Sequence, residues 1–174
     1  SAQPTNCAPG TYNAQPSQVV CLNCAPGTYQ DLAGNTTCKP CTPGYYCAAG
    51  SAAPLPCPGG TNKNAALSVM TSRADCIVCG VGTFCPVGSE NATLCAPGTY
   101  NDQTEQETCV NCPAGRFQTQ PGQTACLTCT GGSYCGLGAA AELPCPAGSY
   151  SNTPGLGTAG ECTLCPAGSA CSTG

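Results

Sequence analysis

Cys7-Ala8-Pro9-Gly10-Thr11-Tyr12 comes back as Cys24-Ala25-Pro26-Gly27-Thr28-Tyr29 and again as Cys95-Ala96-Pro97-Gly98-Thr99-Tyr100. In looser form it recurs wherever an opening cysteine stands: Cys7, Cys24, Cys41, Cys57, Cys79, Cys95, Cys112, Cys129, Cys145 and Cys165. Each opener has glycine three residues later, and all but two have Tyr or Phe five residues later; the exceptions are Asn62 and Ala170. That slot takes Tyr12, Tyr29, Tyr46, Phe84, Tyr100, Phe117, Tyr134 and Tyr150, leaving only Tyr45 outside it. A motif at a steady period marks a repeat architecture. In Cys7-Ala-Pro-Gly the proline and glycine suit the two central positions of a type II turn, with fixed φ at the first and positive φ at the second. Where the proline moves forward, as in Cys112-Pro-Ala-Gly115, a type I turn with glycine last is expected. The residues that follow have strand propensity, so each turn should open into a short extended piece that lays its ring over a disulfide.

The other cysteines, Cys21, Cys38, Cys47, Cys76, Cys85, Cys109, Cys126, Cys135, Cys162 and Cys171, lack the motif and read as closers. Opener-to-closer steps run 14, 14, 6, 19, 6 and then 14, 14, 6, 17, 6. Five modules thus form a ten-cysteine unit that occurs twice, over residues 1–88 and 89–174. Each copy ends on a glycine three residues after a closer, the pattern expected of a stretch cut from a longer array.

Val, Ile, Leu and Phe number only 20 of the 174 residues, too few for an ordinary core. Such poverty with high charge would indicate disorder, but charged residues are 7% of the chain and cysteines number 20. That is the composition of a disulfide scaffold. A link closing about 15 residues is worth roughly 3 kcal/mol against the unfolded chain, whereas burying one Leu or Val contributes roughly 1.5–3 kcal/mol. Stable disulfides require an oxidising compartment, so an extracellular or cell-surface location is expected. The expected fold is a small disulfide-rich repeat: an elongated ladder of short β-hairpin and turn modules, with little regular secondary structure and no helical core.

Two pairing patterns fit the spacing. The sequential one, favoured because it leaves nothing over, joins Cys7–Cys21, Cys24–Cys38, Cys41–Cys47, Cys57–Cys76, Cys79–Cys85, Cys95–Cys109, Cys112–Cys126, Cys129–Cys135, Cys145–Cys162 and Cys165–Cys171. The other crosses within the unit, Cys41 to Cys57 and Cys47 to Cys76. Zinc is the rival chemistry, since Cys21-x2-Cys24-x13-Cys38-x2-Cys41 and Cys109-x2-Cys112-x13-Cys126-x2-Cys129 approach four-thiolate spacing. The same frame also spaces Cys41, Cys47, Cys57 and Cys76 in a way no pair of zinc knuckles uses, and histidine is absent, so no metal or cofactor is expected. The C-x-x-C pairs also resemble dithiol oxidoreductases, but a lowered thiol pKa there needs a helix N-terminus, which chain this rich in Pro and Gly does not supply.

Without histidine, acid–base or nucleophilic catalysis lacks its usual base. The acids Asp31, Asp75, Glu90, Asp102, Glu105, Glu107, Glu142 and Glu161 are mostly isolated, and the Asp102-x2-Glu105-x-Glu107 cluster reads as a solvated loop. No enzyme activity is expected. The net charge is −4, and the basic residues Lys39, Lys63, Arg73 and Arg116 are scattered singly, which argues against nucleic acid and anionic membrane surfaces as partners. No run nears the roughly 18 apolar residues of a spanning helix, so no membrane insertion is expected within this segment. Asn35-Thr36-Thr37 and Asn91-Ala92-Thr93 are N-glycosylation sequons, which makes Asn35 and Asn91 candidate glycan acceptors.

The strings Cys-Ala-Pro-Gly-Thr-Tyr, Cys112-Pro-Ala-Gly-Arg-Phe117, Cys145-Pro-Ala-Gly-Ser-Tyr150 and Cys41-Thr-Pro-Gly-Tyr-Tyr-Cys47 resemble the ephrin-receptor-like cysteine-rich repeats, which are similar to the modules of tumour necrosis factor receptors. Cys79-Gly-Val-Gly82 and Cys129-Thr-Gly-Gly132 depart from the pattern by lacking proline. The resemblance implies an elongated extracellular rod, used as spacer, adhesive surface or receptor ectodomain, and found in long surface proteins including mastigoneme-like ones. The uniform ten-cysteine period favours a structural, glycosylated rod that stacks with further repeats of its own kind into a filament or stalk. Its lateral contacts are expected from the long loops Cys57–Cys76 and Cys145–Cys162, with Leu67, Val69, Met70 and Leu156 as apolar handles. The alternative is a ligand-binding receptor or adhesion ectodomain, with its site around residues 65–74, where Lys63, Met70 and Arg73 break the repeat.

Overall fold

The computed structural model describes residues 6–15 and 20–171; the outer limits of the two ten-cysteine units, Ser1 and Gly174, lie outside them. Within the described residues the regular structure is nine two-stranded antiparallel hairpins and two short 3-10 turns, Arg73–Asp75 and Ala159–Glu161. The chain is a disulfide-rich series of hairpin modules. Among the described residues no helix is long and apolar enough to cross a membrane.

One module shows how the motif builds its hairpin. Thr11 N–H donates to the Ala8 carbonyl at 3.0 Å, closing a turn in which Gly10 has φ 85. That is the positive φ of the third residue of a type II turn, which glycine adopts without strain. Thr11–Tyr12 then pairs with Leu22–Asn23, and Cys24 N–H donates to the Gly10 carbonyl at 2.9 Å. The hairpin therefore ends at the next opener. Ala25 to Thr28 and Ala96 to Thr99 close the same turn. The stretch after Cys112 corrects the expectation of a type I turn. Arg116 N–H bonds to the Pro113 carbonyl, and Gly115, at φ 83, is the third residue of its turn, not the last. The reason is register: the turn is placed by the glycine, whose positive φ is needed where the strand begins, and the proline takes whichever earlier position remains.

Ten disulfides hold the modules: Cys7–Cys21, Cys24–Cys38, Cys41–Cys47, Cys57–Cys76 and Cys79–Cys85, then Cys95–Cys109, Cys112–Cys126, Cys129–Cys135, Cys145–Cys162 and Cys165–Cys171. Cysteines make up most of the buried apolar residues, with Met70 and Leu156 the exceptions. The aromatic rings are half-buried, and Tyr134 packs against the cluster of Cys145, Leu156 and Cys162 in the following module.

The described residues fall into two compact units: those up to Cys79 with Cys85–Ala92, and Gly80–Phe84 with the residues from Thr93 onward. Inside each, neighbouring modules are joined through main-chain groups. In the second, the N–H of Gly98 donates to Gln118 O, that of Gly138 to Cys112 O, and that of Gln118 to Ala139 O, the last beside a parallel bridge between Phe117 and Ala139. In the first, Gly27 to Cys47 O, Gly50 to Cys24 O and Gln30 to Ser51 O, with a Tyr29–Ser51 bridge, repeat the arrangement. The fit extends to the next module but one. A Cβ on Gly98 would lie 2.3 Å from the Gly138 carbonyl oxygen, and one on Gly10 would lie 2.2 Å from that of Gly50. Glycine is required there both for φ and for the close approach of two backbones.

Candidate functional site

The residue after the aromatic slot distinguishes the short modules from the fourteen-residue ones. In the short modules it is the closing cysteine itself: Cys47, Cys85, Cys135 and Cys171. In the fourteen-residue modules it is a carboxamide, Asn13, Gln30, Asn101 or Gln118. Gln118 is buried, donates Nε2 to the Ala125 carbonyl at 2.8 Å and accepts Gln120 N–H on Oε1. Gln30 does the same with Thr37 O and Leu32 N–H. Asn101, 1% exposed, donates to Thr108 O and to Thr83 O of the preceding module. The amides of Gln30, Asn101 and Gln118 satisfy carbonyls that would otherwise be stranded where the loop turns inward. Sequence reasoning missed these clamps, although their alternation with cysteine at one fixed position was a readable signal.

Four of the acids make local bonds as well. Asp75 Oδ2 accepts the Thr71 and Ser72 amides at 2.7 and 3.0 Å. Those backbone bonds hold its carboxyl below the ordinary carboxylate range. Glu161 accepts Gly157 N–H, and Glu142 accepts Thr130 N–H. Asp31 bonds Lys39 Nζ at 2.7 Å, which lowers the carboxyl pKa and raises that of the ammonium. Among the described residues this is the only ion pair, no cysteine is free, and no group of three His, Cys, Asp or Glu is placed to hold a metal. Cys21, Cys24, Cys38 and Cys41 belong to three different disulfides.

Two of the expected apolar handles are not on the surface. Met70 is 2% exposed and Leu156 is 9% exposed. Their carbonyls accept the amides of Cys47 and Cys135, so the chain is drawn inward where each long loop meets the preceding short module. Buried, Met70 also cannot serve a ligand of the 65–74 loop. Val69 remains half exposed but lies against Gly27, within 3.0 Å of where a Cβ would be.

What faces outward is the second strand of each hairpin. Tyr12 is opposite Leu22, Tyr46 opposite Leu55, Tyr100 opposite Val110, Phe117 opposite Leu127 and Tyr134 opposite Leu143. Every one of those aliphatics is about half exposed. Of the sequon asparagines, Asn91 is exposed, and Asn35 is partly buried with its Nδ2 donating to Gln30 Oε1 at 3.0 Å.

Turn, disulfide and aromatic pair succeed one another at fixed steps, and a family model recognises that order. Residues 82–124 and again 98–142 match the model described as tyrosine-protein kinase ephrin type A/B receptor-like. Residues 82–142 carry ephrin-receptor-like cysteine-rich repeats. The two matched segments are offset by about one module, as expected when a repeat is found in two successive phases, and together they span residues 82–142, under half of the chain. No curated protein matches the chain. Within the matched segments lie the Gly98 and Gly115 turns, the Asn101 and Gln118 clamps and three disulfides, so the ephrin-receptor-like repeat here is the hairpin module in its cysteine-closed and amide-closed forms.

Proposed function

We propose that this chain is part of an extracellular, glycosylated structural protein whose ten-cysteine units, residues 1–88 and 89–174, are added end to end to form or coat a filament or to make a surface stalk. The observation that carries this reading is the chemistry of the contact between modules. It is made largely by main-chain N–H and C=O groups, many of them at glycine and cysteine positions, so it depends little on the side chains in which modules differ. Contacts confined to near neighbours allow units to be added without redesigning a core. The ephrin-receptor-like match and the number of disulfides support an extracellular or surface setting. The exposed aliphatics of the hairpins supply an apolar face for packing against other copies, and low charge leaves little to keep copies apart.

The test is electron microscopy of native secreted material beside its intact mass, measured denatured but unreduced after thiol alkylation. Filaments or rods, unlabelled cysteines and a mass raised by sugar increments are the expected result. Compact single particles that bind a soluble partner in simple stoichiometry would instead mark a receptor ectodomain. Peptide mapping without reduction tests the sequential pairing, which predicts Cys41 with Cys47 and Cys57 with Cys76 in separate linked fragments. Asn91 is the sequon we assign as the main glycan acceptor, because its side chain is open to solvent.

A further inference from the structure

The two ten-cysteine units differ at a cleft of about 220 Å³ between neighbouring modules of the second, bordered by Tyr100, Asp102, Pro113, Arg116 and Thr124. At the equivalent positions 88 residues earlier the chain has Tyr12, Ala14, Ala25, Thr28 and Thr36. The aromatic and the hydroxyl are therefore shared, and the two charged groups belong to one copy alone. Arg116 is the only basic residue of residues 89–174. Its Nη1 donates to the Cys126 carbonyl at 3.2 Å, which fixes the guanidinium at the cleft wall. Asp102 lines the same cleft, yet the two are not ion-paired. Opposite charges held on one small cleft without closing on each other leave both a donor fork and an acceptor pair for something between them.

We infer that this cleft binds a single neutral hexopyranose unit. A pyranose offers an apolar C–H face, which the half-buried Tyr100 ring can cover, and vicinal hydroxyls that both donate and accept. The Asp102 carboxylate accepts hydrogen bonds from the hydroxyls, while Arg116 and the Thr124 hydroxyl donate to the hydroxyl oxygens. With one charge of each sign the cleft has no net charge, which gives an anionic sugar no electrostatic advantage over a neutral polyol. The volume is below the ~300–1,000 Å³ typical of drug-sized sites and suits one ring, not an enclosed chain. This site does not depend on the filament reading, because its two charged residues are ones that the repeat does not require.

The test is a nuclear magnetic resonance titration of the full chain with methyl α-D-mannopyranoside and, separately, methyl β-D-glucopyranoside, following the ring signals of Tyr100 and Tyr12. The expected result is a saturable shift at Tyr100, with a dissociation constant of about 1–10 mM and none at Tyr12. The variants Arg116→Thr and Asp102→Ala install the residues that the first copy carries and should keep the fold. Each should weaken binding about tenfold or more. A response to the mannoside points to N-linked glycans as the source, and one to the glucoside to a matrix polysaccharide. No shift up to about ten times the expected constant, equal shifts at the two tyrosines, or binding that survives both substitutions would overturn the assignment.

Discussion

Replacing Gly98 by alanine separates the two demands made on the repeat's glycine. Its φ of 83 costs a residue with a Cβ about 1–2 kcal/mol by itself. The new Cβ would also lie 2.3 Å from the Gly138 carbonyl oxygen, so the backbones must part. The bonds most exposed to that movement are Gly98 N–H to Gln118 O, 2.7 Å, and Gly138 N–H to Cys112 O, 2.8 Å. At about 0.5–1.5 kcal/mol each they bring the total to about 2–5 kcal/mol. Gly148 supplies the control, having φ 81 and nothing within 4 Å of its Cβ position. Gly148→Ala should therefore cost only the conformational part, about 1–2 kcal/mol. Native-state hydrogen exchange is the assay, because the disulfides persist through local opening. Exchange of the Gly138 amide should speed up by about 10- to 100-fold more in Gly98→Ala than the flanking amides do in Gly148→Ala. Equal effects of the two substitutions would refute the claim that glycine is needed for contact between modules as well as for the turn.

Asn101→Ala strands the Thr108 and Thr83 carbonyls and should cost about 1–3 kcal/mol, read as faster amide exchange between residues 101 and 109 with all disulfides intact. Asp75 contributes stability to its loop above the ordinary carboxylate pKa, and that contribution is lost as pH falls through its lowered value in the folded chain. The Thr71 and Ser72 amide resonances should therefore move together in acid, and in Asp75→Asn they should not titrate. Mild reduction should release the Cys79–Cys85 module more fully than the Cys112–Cys126 module, whose loop keeps the Gln118 clamp; partial alkylation read with amide exchange in each loop tests this.

Much of the module was legible because its determinants are local. Opener, glycine and aromatic lie within six residues of one another, and they are enough to place turn, strand and hairpin. The turn after Cys112 was misread by weighting proline above glycine, although only glycine takes positive φ freely. Met70 and Leu156 looked like surface handles because an aliphatic in a long polar loop has no periodicity to say which way it faces. Their burial depends on a backbone bond to the preceding short module, a relation between segments more than twenty residues apart. The amide clamps were hidden for a different reason: Asn and Gln are common in loops, and their role emerges only once modules of unequal length are superposed on their openers.

Each disulfide also reroutes mechanical load. Tension entering at Cys24 passes through sulfur to Cys38 and reaches Cys41 after two intervening residues, and the loop between Cys24 and Cys38 stays slack. The same shortcut operates at every module, so only about a third of the contour lies on the force-bearing path, the rest being hidden length that cannot be drawn out without breaking covalent bonds. A chain wired in this way resists stretching through its bonding pattern more than through its folding free energy, and it would hold its length under loads that unravel a protein kept together by an apolar core.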